Sequence, residues 1–337
     1  MVHGPVASIA RPRRASSLGV SYRLWFSFVA WRLVSLFVIL LGLVITTFMM
    51  VRLIPGDPAT IAGGVNTTPA HVAALRKQMG LDDPLLTQFA SYAGNLVHAD
   101  LGISFTTRQP VRQIITERIP SSLVLAGTSL ALVLLCAIPA GLLAGALTRE
   151  GRHRRGELIF TGTASVIGSI PQFLTATFLA FVFAVWLKLL PVAGSDPPLQ
   201  SLILPALSIA LAPAATLARL VRIEALNVLA QDYIRTARSK RLPARIIYLR
   251  HVLPNVLTAA LTLGGVILAN LIGGAVIIEN VYARNGLGTA LVNAVLVRDY
   301  PVIQGTILIL GIVIVAVNTI VDGILAMLDP RSLMRRG

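Results

Sequence analysis

The chain has 337 residues, of which 55% are hydrophobic and 13% charged, with a single cysteine and a formal net charge of +15. A mean hydropathy of +0.78 is too high for a soluble domain of ordinary surface composition and places the chain among membrane proteins. The charge does not indicate nucleic acid, because the Lys and Arg residues are set between long uncharged runs, and Cys136, inside one such run, excludes an intrachain disulfide framework and a thiolate metal cluster.

Uncharged stretches occupy 33–51, 119–148, 158–187, 197–218, 251–278 and 300–321. Each is near or above the ~20 residues that a helix needs to cross the hydrocarbon core, so six transmembrane helices are predicted in an all-α integral membrane protein. The first follows a long basic segment and lacks a nearby small-residue cleavage site, which favours an uncleaved anchor over a signal peptide. The stretch 58–75 is set aside as a span because it holds Pro58, Asn66, Thr67, Thr68, Pro69 and His71.

The segments expected in chain order are an N-terminal piece 1–32, a first transmembrane helix 33–54, an external cap loop 55–118, a core of five further spans over 119–328 and a tail 329–337. In the cap, Thr68-Pro69 reads as an N-cap followed by proline at the first helical position, opening a helix that stops near Gly80. A second helix is predicted from Pro84, with Leu85, Phe89, Tyr92, Leu96 and Val97 forming its packed face. That face either rests on the membrane-embedded core or contributes to an outer vestibule.

Within the core, Gly141-Leu-Leu-Ala-Gly145, Gly264-Gly265 and Gly273-Gly274 allow close approach of helix backbones. Pro139, Pro171, Pro205 and Pro213 remove main-chain hydrogen bonds, which is tolerated where protein or water satisfies the carbonyls. Ser169-Ile-Pro171-Gln172-Phe173 suggests a kinked pathway wall, with Asn270 and Glu279 as further pathway candidates; plain helix packing explains the same residues.

Orientation follows from Lys and Arg in alternate loops, twenty on the side of both termini against nine on the other, which puts both termini and residues 219–250 in the cytoplasm. Lys77, Lys188 and Lys240 are not preceded by glycine, so a phosphate-binding loop of the Gly-Lys-Ser/Thr type is excluded, and the five histidines are scattered without metal-ligand spacing. Glu279 and Asp322 are the groups a proton-coupled transporter would titrate, although hydrogen bonding of Glu279 to the loop that follows and capping or pairing of Asp322 near the inner surface account for them.

The loop 219–253 remains. Its start, Gln231–Lys240, reads as a helix with Asp232 early and Arg235, Arg238 and Lys240 late, the order that the helix dipole favours, and Pro243 ends it. Asp232-Tyr233-Ile234-Arg235-Thr236-Ala237-Arg238-Ser239-Lys240-Arg241-Leu242, with Leu253-Pro254 beyond, resembles the cytoplasmic coupling loop of the permeases of ABC importers, in particular the dipeptide/oligopeptide (peptide/nickel) branch. Arg52-Leu-Ile-Pro-Gly-Asp-Pro58, Gly80-Leu-Asp-Asp-Pro84, Asp100-Leu-Gly-Ile-Ser104, Glu279-Asn-Val-Tyr-Ala-Arg-Asn-Gly-Leu-Gly288, Arg298-Asp-Tyr-Pro301 and Asp329-Pro-Arg331 are similar to that branch in the same order.

The resemblance implies a type I importer permease fold in a bacterial inner membrane. Its implied partners are a second permease, two cytoplasmic ATPase subunits carrying ATP and Mg, and an external binding protein that delivers a small peptide. It implies no cofactor and no catalytic residue on this chain. It also implies that Asp232, Tyr233, Arg235, Thr236, Ala237, Arg238, Lys240 and Arg241 meet the ATPase. Nickel or glutathione are alternative cargoes in the same family. The chain departs from the family at Arg241 and Ala99, where glycine is common, and at Arg284-Asn285, commonly Trp-Pro. A non-glycine residue at 241 costs roughly 1 kcal/mol if the turn is left-handed.

Overall fold

In a computed structural model the described residues are 17–53, 56–64, 67–149, 153–194, 196 and 198–328, with the side chains of 17–29, 322 and 324–328 excepted. Asp329-Pro-Arg331, residues 1–16 and the side chain of Asp322 lie outside them. Helices run α1 Ser17–Leu53, α2 Pro58–Gly63, α3 Pro69–Gln78, α4 Leu85–Val97, α5 Val111–Thr148, α6 Arg154–Ser169, α7 Gln172–Leu179, α8 Gln200–Leu229, α9 Asp232–Ser239, α10 Ala244–Ile246, α11 Leu253–Val281, α12 Leu287–Leu296 and α13 Tyr300–Leu328. A π-helical segment Ala180–Trp186 extends α7, and another, Ile247–Val252, joins α10 to α11.

Among the described residues five helical stretches are long and apolar enough to cross a membrane: Ala30–Leu53, Val111–Thr148, Gln200–Leu229, Ala244–Val281 and Tyr300–Val321. The expected span 158–187 is not one rod but the pair α6 and α7, bent by 95°. Proline removes an amide donor and drives the preceding residue out of the helical region, and Ile170 sits extended at φ −74° and ψ 124°. Pro120 and Pro139 in α5 and Pro205 and Pro213 in α8 stay inside continuous helices.

The bundle is organised on α5 and α8, its most extensive helix pair. A Cβ on Gly141 would stand 2.5 Å from the carbonyl oxygen of Ala218, and one on Gly145 3.1 Å from Ala225, so the two glycines let α8 lie directly on α5. Contacts rise together along both chains, so the pair runs parallel. Gly265 meets Val321 of α13 and Gly274 meets Gln172, whereas Gly273 faces open space.

Three apolar clusters fill the bundle. One joins α5, α8, α9 and the start of α11, a second joins α5, α12 and α13, and a third joins α7, α8 and α11. Helix α1 is little buried and leans on α13, where Gly311 faces Leu43.

Helices α3, α4, α9, α11 and α12 all close on a left-handed residue, at Gly80, Ala99, Arg241, Ala283 and Arg298 with φ between 45° and 62°. At α9 the amides of Arg241 and Leu242 reach back to the carbonyls of Arg238 and Ala237, at 2.8 and 3.3 Å. This is the double hydrogen bond that satisfies the last carbonyls of a helix. Ala99 and Arg241 therefore each adopt a left-handed turn without glycine.

Candidate functional site

The cap is built as expected at its two helix starts. The Thr68 hydroxyl accepts from the His71 amide at 3.4 Å to cap α3, and α4 begins directly after Pro84. Phe89, Tyr92 and Leu96 pack, but Leu85 and Val97 are 58% and 84% exposed, so the packed face of α4 is narrower than expected. Phe48 of α1 meets the Phe89 ring edge-on with centroids 5.2 Å apart, and the Tyr92 hydroxyl lies 3.1 Å from that of Thr47. Burial raises the Tyr92 phenol above its ordinary value, and the Thr47 bond draws it part of the way back. Arg76 pairs with Asp57 at 2.9 Å and with Asp82, while the Gln88 amide donates to the carbonyls of Leu81 and Asp83, so the motifs at 52–58 and 80–84 meet.

Two further motifs meet at Asp299, which is 2% exposed. Its carboxylate accepts from the Ser104 hydroxyl and from the amides of Phe105 and Thr106 at 3.1 and 3.2 Å. This stitches the end of the cap to the start of α13. A carboxylate here also sits at the favourable end of the α13 dipole.

The segment 279–289 joins α11 to α12 and is the hub of this side of the bundle. Glu279 is fully buried, and the Gly288 amide donates to its carboxylate at 2.7 Å. The Leu287 amide donates to the Ser122 hydroxyl at 2.9 Å, and the Arg118 guanidinium donates to Asn285 at 3.0 Å, tying the turn to α5. The Tyr282 hydroxyl donates to the Ala176 carbonyl at 2.9 Å and lies 3.0 Å from Ser208, and Arg284 donates to the Ser201 carbonyl at 3.1 Å. Burial lowers the Arg284 guanidinium below its ordinary value, and Glu279 draws it back up. A Cβ on Gly286 would overlap the Glu279 carboxylate, and one on Gly288 the backbone of Val276, so neither position accepts a side chain.

On the opposite face α9 projects between α8 and α10. Ile234 and Ala237, one helical turn apart, are buried in the cluster with α8, while Asp232, Tyr233, Arg235, Thr236, Lys240 and Arg241 are exposed and Arg238 is half-buried. Ala237 thus anchors the helix instead of facing outward. Asp232 and Arg235 are 3.5 Å apart and largely exposed, where such a pair contributes little. The Asn255 amide donates to the His251 carbonyl at 2.7 Å and reaches the Tyr233 hydroxyl at 3.4 Å, bracing α9 against α11.

Arg222, which the sequence presented as one loop charge among several, is 9% exposed. It donates to the Thr148 hydroxyl at 3.0 Å and pairs with Glu157 at 2.7 Å, locking α8 to the ends of α5 and α6 beside α9. The available signal was Glu157, one of two acids, with Glu150, in a basic loop.

The pathway candidates separate. Ser169, Pro171, Phe173 and Asn270 are exposed on the bundle surface and Gln172 is half-buried against Gly274, but Glu279 stands apart from them, sealed within the 279–289 hub. Among the described residues no group of three or more His, Cys, Asp or Glu side chains could hold a metal ion.

A helical membrane bundle carrying a folded cap on one face and a braced amphipathic helix on the other defines a multi-span membrane permease subunit. Residues 137–333 match the model of the binding-protein-dependent transport system inner membrane component, and residues 25–126 match the model of its N-terminal part. The chain belongs to this family and is an inner-membrane transport component of the ABC-importer type. A protein of Brucella suis biovar 1 named as a peptide transport system permease is 41% identical, with 87% of this chain and 94% of that protein aligned. The glutathione transport system permease protein GsiC of Escherichia coli is 36% identical over 90% of this chain and 98% of its own length. In fold, the inward-facing MetNI methionine ABC transporter superposes with a TM-score of 0.54, 18% identity, and coverage of 64% of this chain and 97% of its own. The crystal form described as native gives 0.52 at 17% identity.

Proposed function

We propose that this chain is one permease half of an ATP-driven importer of small peptides, working with a second homologous permease, two cytoplasmic ATPase subunits that bind ATP and Mg, and an external substrate-binding protein. The observation that carries this reading is α9, a short helix whose apolar side is buried in the bundle and whose polar side is presented to water. A helix seated on α8 and α11 passes displacement to both, which is what rigid-body coupling to an ATPase requires. Its contact residues are Asp232, Tyr233, Arg235, Thr236, Arg238, Lys240 and Arg241, with Ala237 holding the helix in place. The peptide cargo rests on the likeness to the Brucella protein. Glutathione is the second reading and rests on the likeness to the Escherichia coli protein.

The bent pair α6 and α7 serves as the sixth span, and both termini are cytoplasmic, in keeping with the Lys and Arg distribution. The segment 55–118 forms the external cap and 219–253 the coupling loop of the core 119–328. Ser169, Pro171, Gln172, Phe173 and Asn270 line the pathway, because backbone freed by a helix break within the membrane must face protein or water. Glu279 holds the 279–289 turn by accepting from the Gly288 amide, a structural role that accounts for its burial without proton coupling.

The test is co-purification of the chain with its ATPase and second permease, comparing wild type with Arg235→Glu/Lys240→Glu, both on the exposed side of α9. ATPase recovery is expected to fall at least about tenfold with an unchanged melting profile. Full recovery, or uptake into liposomes without ATP, would refute the reading.

A further inference from the structure

The structure leaves a groove between α5 and α6 on the same side of the membrane as α9. Its mouth is a cavity of about 710 Å³ lined by Leu143, Ala144, Leu147 and Phe160, with His153, Arg154 and Arg155 at its edge. A second cavity of about 450 Å³ continues it past Ala140, Gly156 and Phe160 to Cys136, Ile167 and Leu211. From Thr148 to Cys136 along α5 the groove runs about 18 Å, at a rise of 1.5 Å per residue. One leaflet of the hydrocarbon core is about 15 Å thick.

We propose that this groove holds one anionic phospholipid, its acyl chain along α5 and its phosphate on Arg154 and Arg155. A transmembrane helix from another subunit needs a groove across both leaflets, whereas an acyl chain needs one. The floor is made of small residues, Ala137, Ala140, Ala164, Ala214, Ala215 and Ala218 among them, which leave a channel rather than a flat contact. The mouth supplies the charge that anionic headgroups seek at the inner surface. Among the described residues of this loop the acid is Glu157, and it is paired with Arg222 at 2.7 Å rather than with Arg154 or Arg155. With the orientation proposed above this is the cytoplasmic leaflet; the site itself is independent of the cargo.

Cys136 lines the groove, is exposed and is the chain's single cysteine, so it carries a photo-crosslinker without any substitution. The full chain, with its co-expressed partners, is labelled and irradiated in vesicles of phosphatidylcholine with 10%-level phosphatidylglycerol (roughly one lipid in ten, chosen to sit below saturation of the surface charge). Mass analysis is expected to show phosphatidylglycerol adducts enriched at least about fivefold over its share of the bilayer. Arg154→Ala/Arg155→Ala is expected to bring the enrichment to about one at unchanged total lipid adduct, and Ala140→Phe to lower adducts of both lipids. Adducts in bilayer proportion, an enrichment unmoved by the double variant, or crosslinking mainly to a helix of a second subunit would overturn the proposal.

Discussion

Asp299→Ala removes the acceptor that joins the cap to α13. The wild-type carboxylate takes the Ser104 hydroxyl and the amides of Phe105 and Thr106 in a site only 2% exposed. Each hydrogen bond to an ionised acceptor contributes about 1.5–3 kcal/mol, so three treated as independent would sum to about 4.5–9 kcal/mol. Bonds that share one carboxylate are not independent, and the amides regain water once the loop swings out, which brings the expected loss to about 3–5 kcal/mol. At about 2 °C per kcal/mol for a chain of this size, the melting temperature in detergent should fall by roughly 6–10 °C. If the loop opens locally before the bundle melts, cleavage by a broad-specificity protease between residues 99 and 110 should accelerate instead. In a Ser104→Ala background the same substitution should cost about 1–2 kcal/mol less, because one donor is already gone. A melting temperature within about 2 °C of wild type together with unchanged proteolysis would show that Asp299 does not hold the cap.

Gly288→Ala should cost about 3 kcal/mol or more, because the added methyl meets the Val276 backbone, which cannot yield as a side chain would. Yield and melting temperature report it, with Gly273→Ala, which faces open space, as the control expected to be neutral or stabilising. Arg241→Gly relieves a left-handed residue at φ 54° and should slow hydrogen exchange of the α9 amides by about fivefold, corresponding to about 1 kcal/mol. The Tyr92 phenol is raised by burial, so the folded chain holds that proton more tightly than the unfolded one. Its contribution is full at neutral pH and is lost as pH climbs through and beyond the ordinary tyrosine range, and Tyr92→Phe should flatten that alkaline decline in melting temperature.

Much of the fold was legible because its signals are local. Thr68-Pro69 and Pro84 mark helix starts through capping and fixed φ, and Pro171 marks a break, although its 95° angle depends on how α7 packs on α8. Span limits were less legible: α5 begins at Val111 and α8 ends at Leu229, well beyond the uncharged runs 119–148 and 197–218. Charged residues continue a helix once it leaves lipid, so Arg222 and Glu157 read as loop charges when they are in fact a buried lock between helices. The inward side of α9 was present in the spacing of Ile234 and Ala237, yet the motif as a unit hid it. Ser104 and Asp299 belong to motifs that were each visible, but nothing in a local pattern pairs residues 195 positions apart.

The parallel pair α5 and α8 has a mechanical consequence. With 38 and 30 residues, the two are about 57 and 45 Å long, against a hydrocarbon core of about 30 Å. They overhang the bilayer like the arms of a lever, with Arg222 pinning one end near α9 and Ser122 and Ser201 gripping the 279–289 turn at the other. For a pivot at mid-membrane, a tilt of about 10° moves the far end of the longer arm by about 5 Å. Because Gly141 and Gly145 let α8 lie directly on α5, the two would tilt as one body, and under the proposed coupling that stroke would carry to the far side. Under the coupling proposed at α9, the distance between α9 and the cap would act as gearing, turning a small rotation on one side of the membrane into an opening wide enough for a side chain on the other.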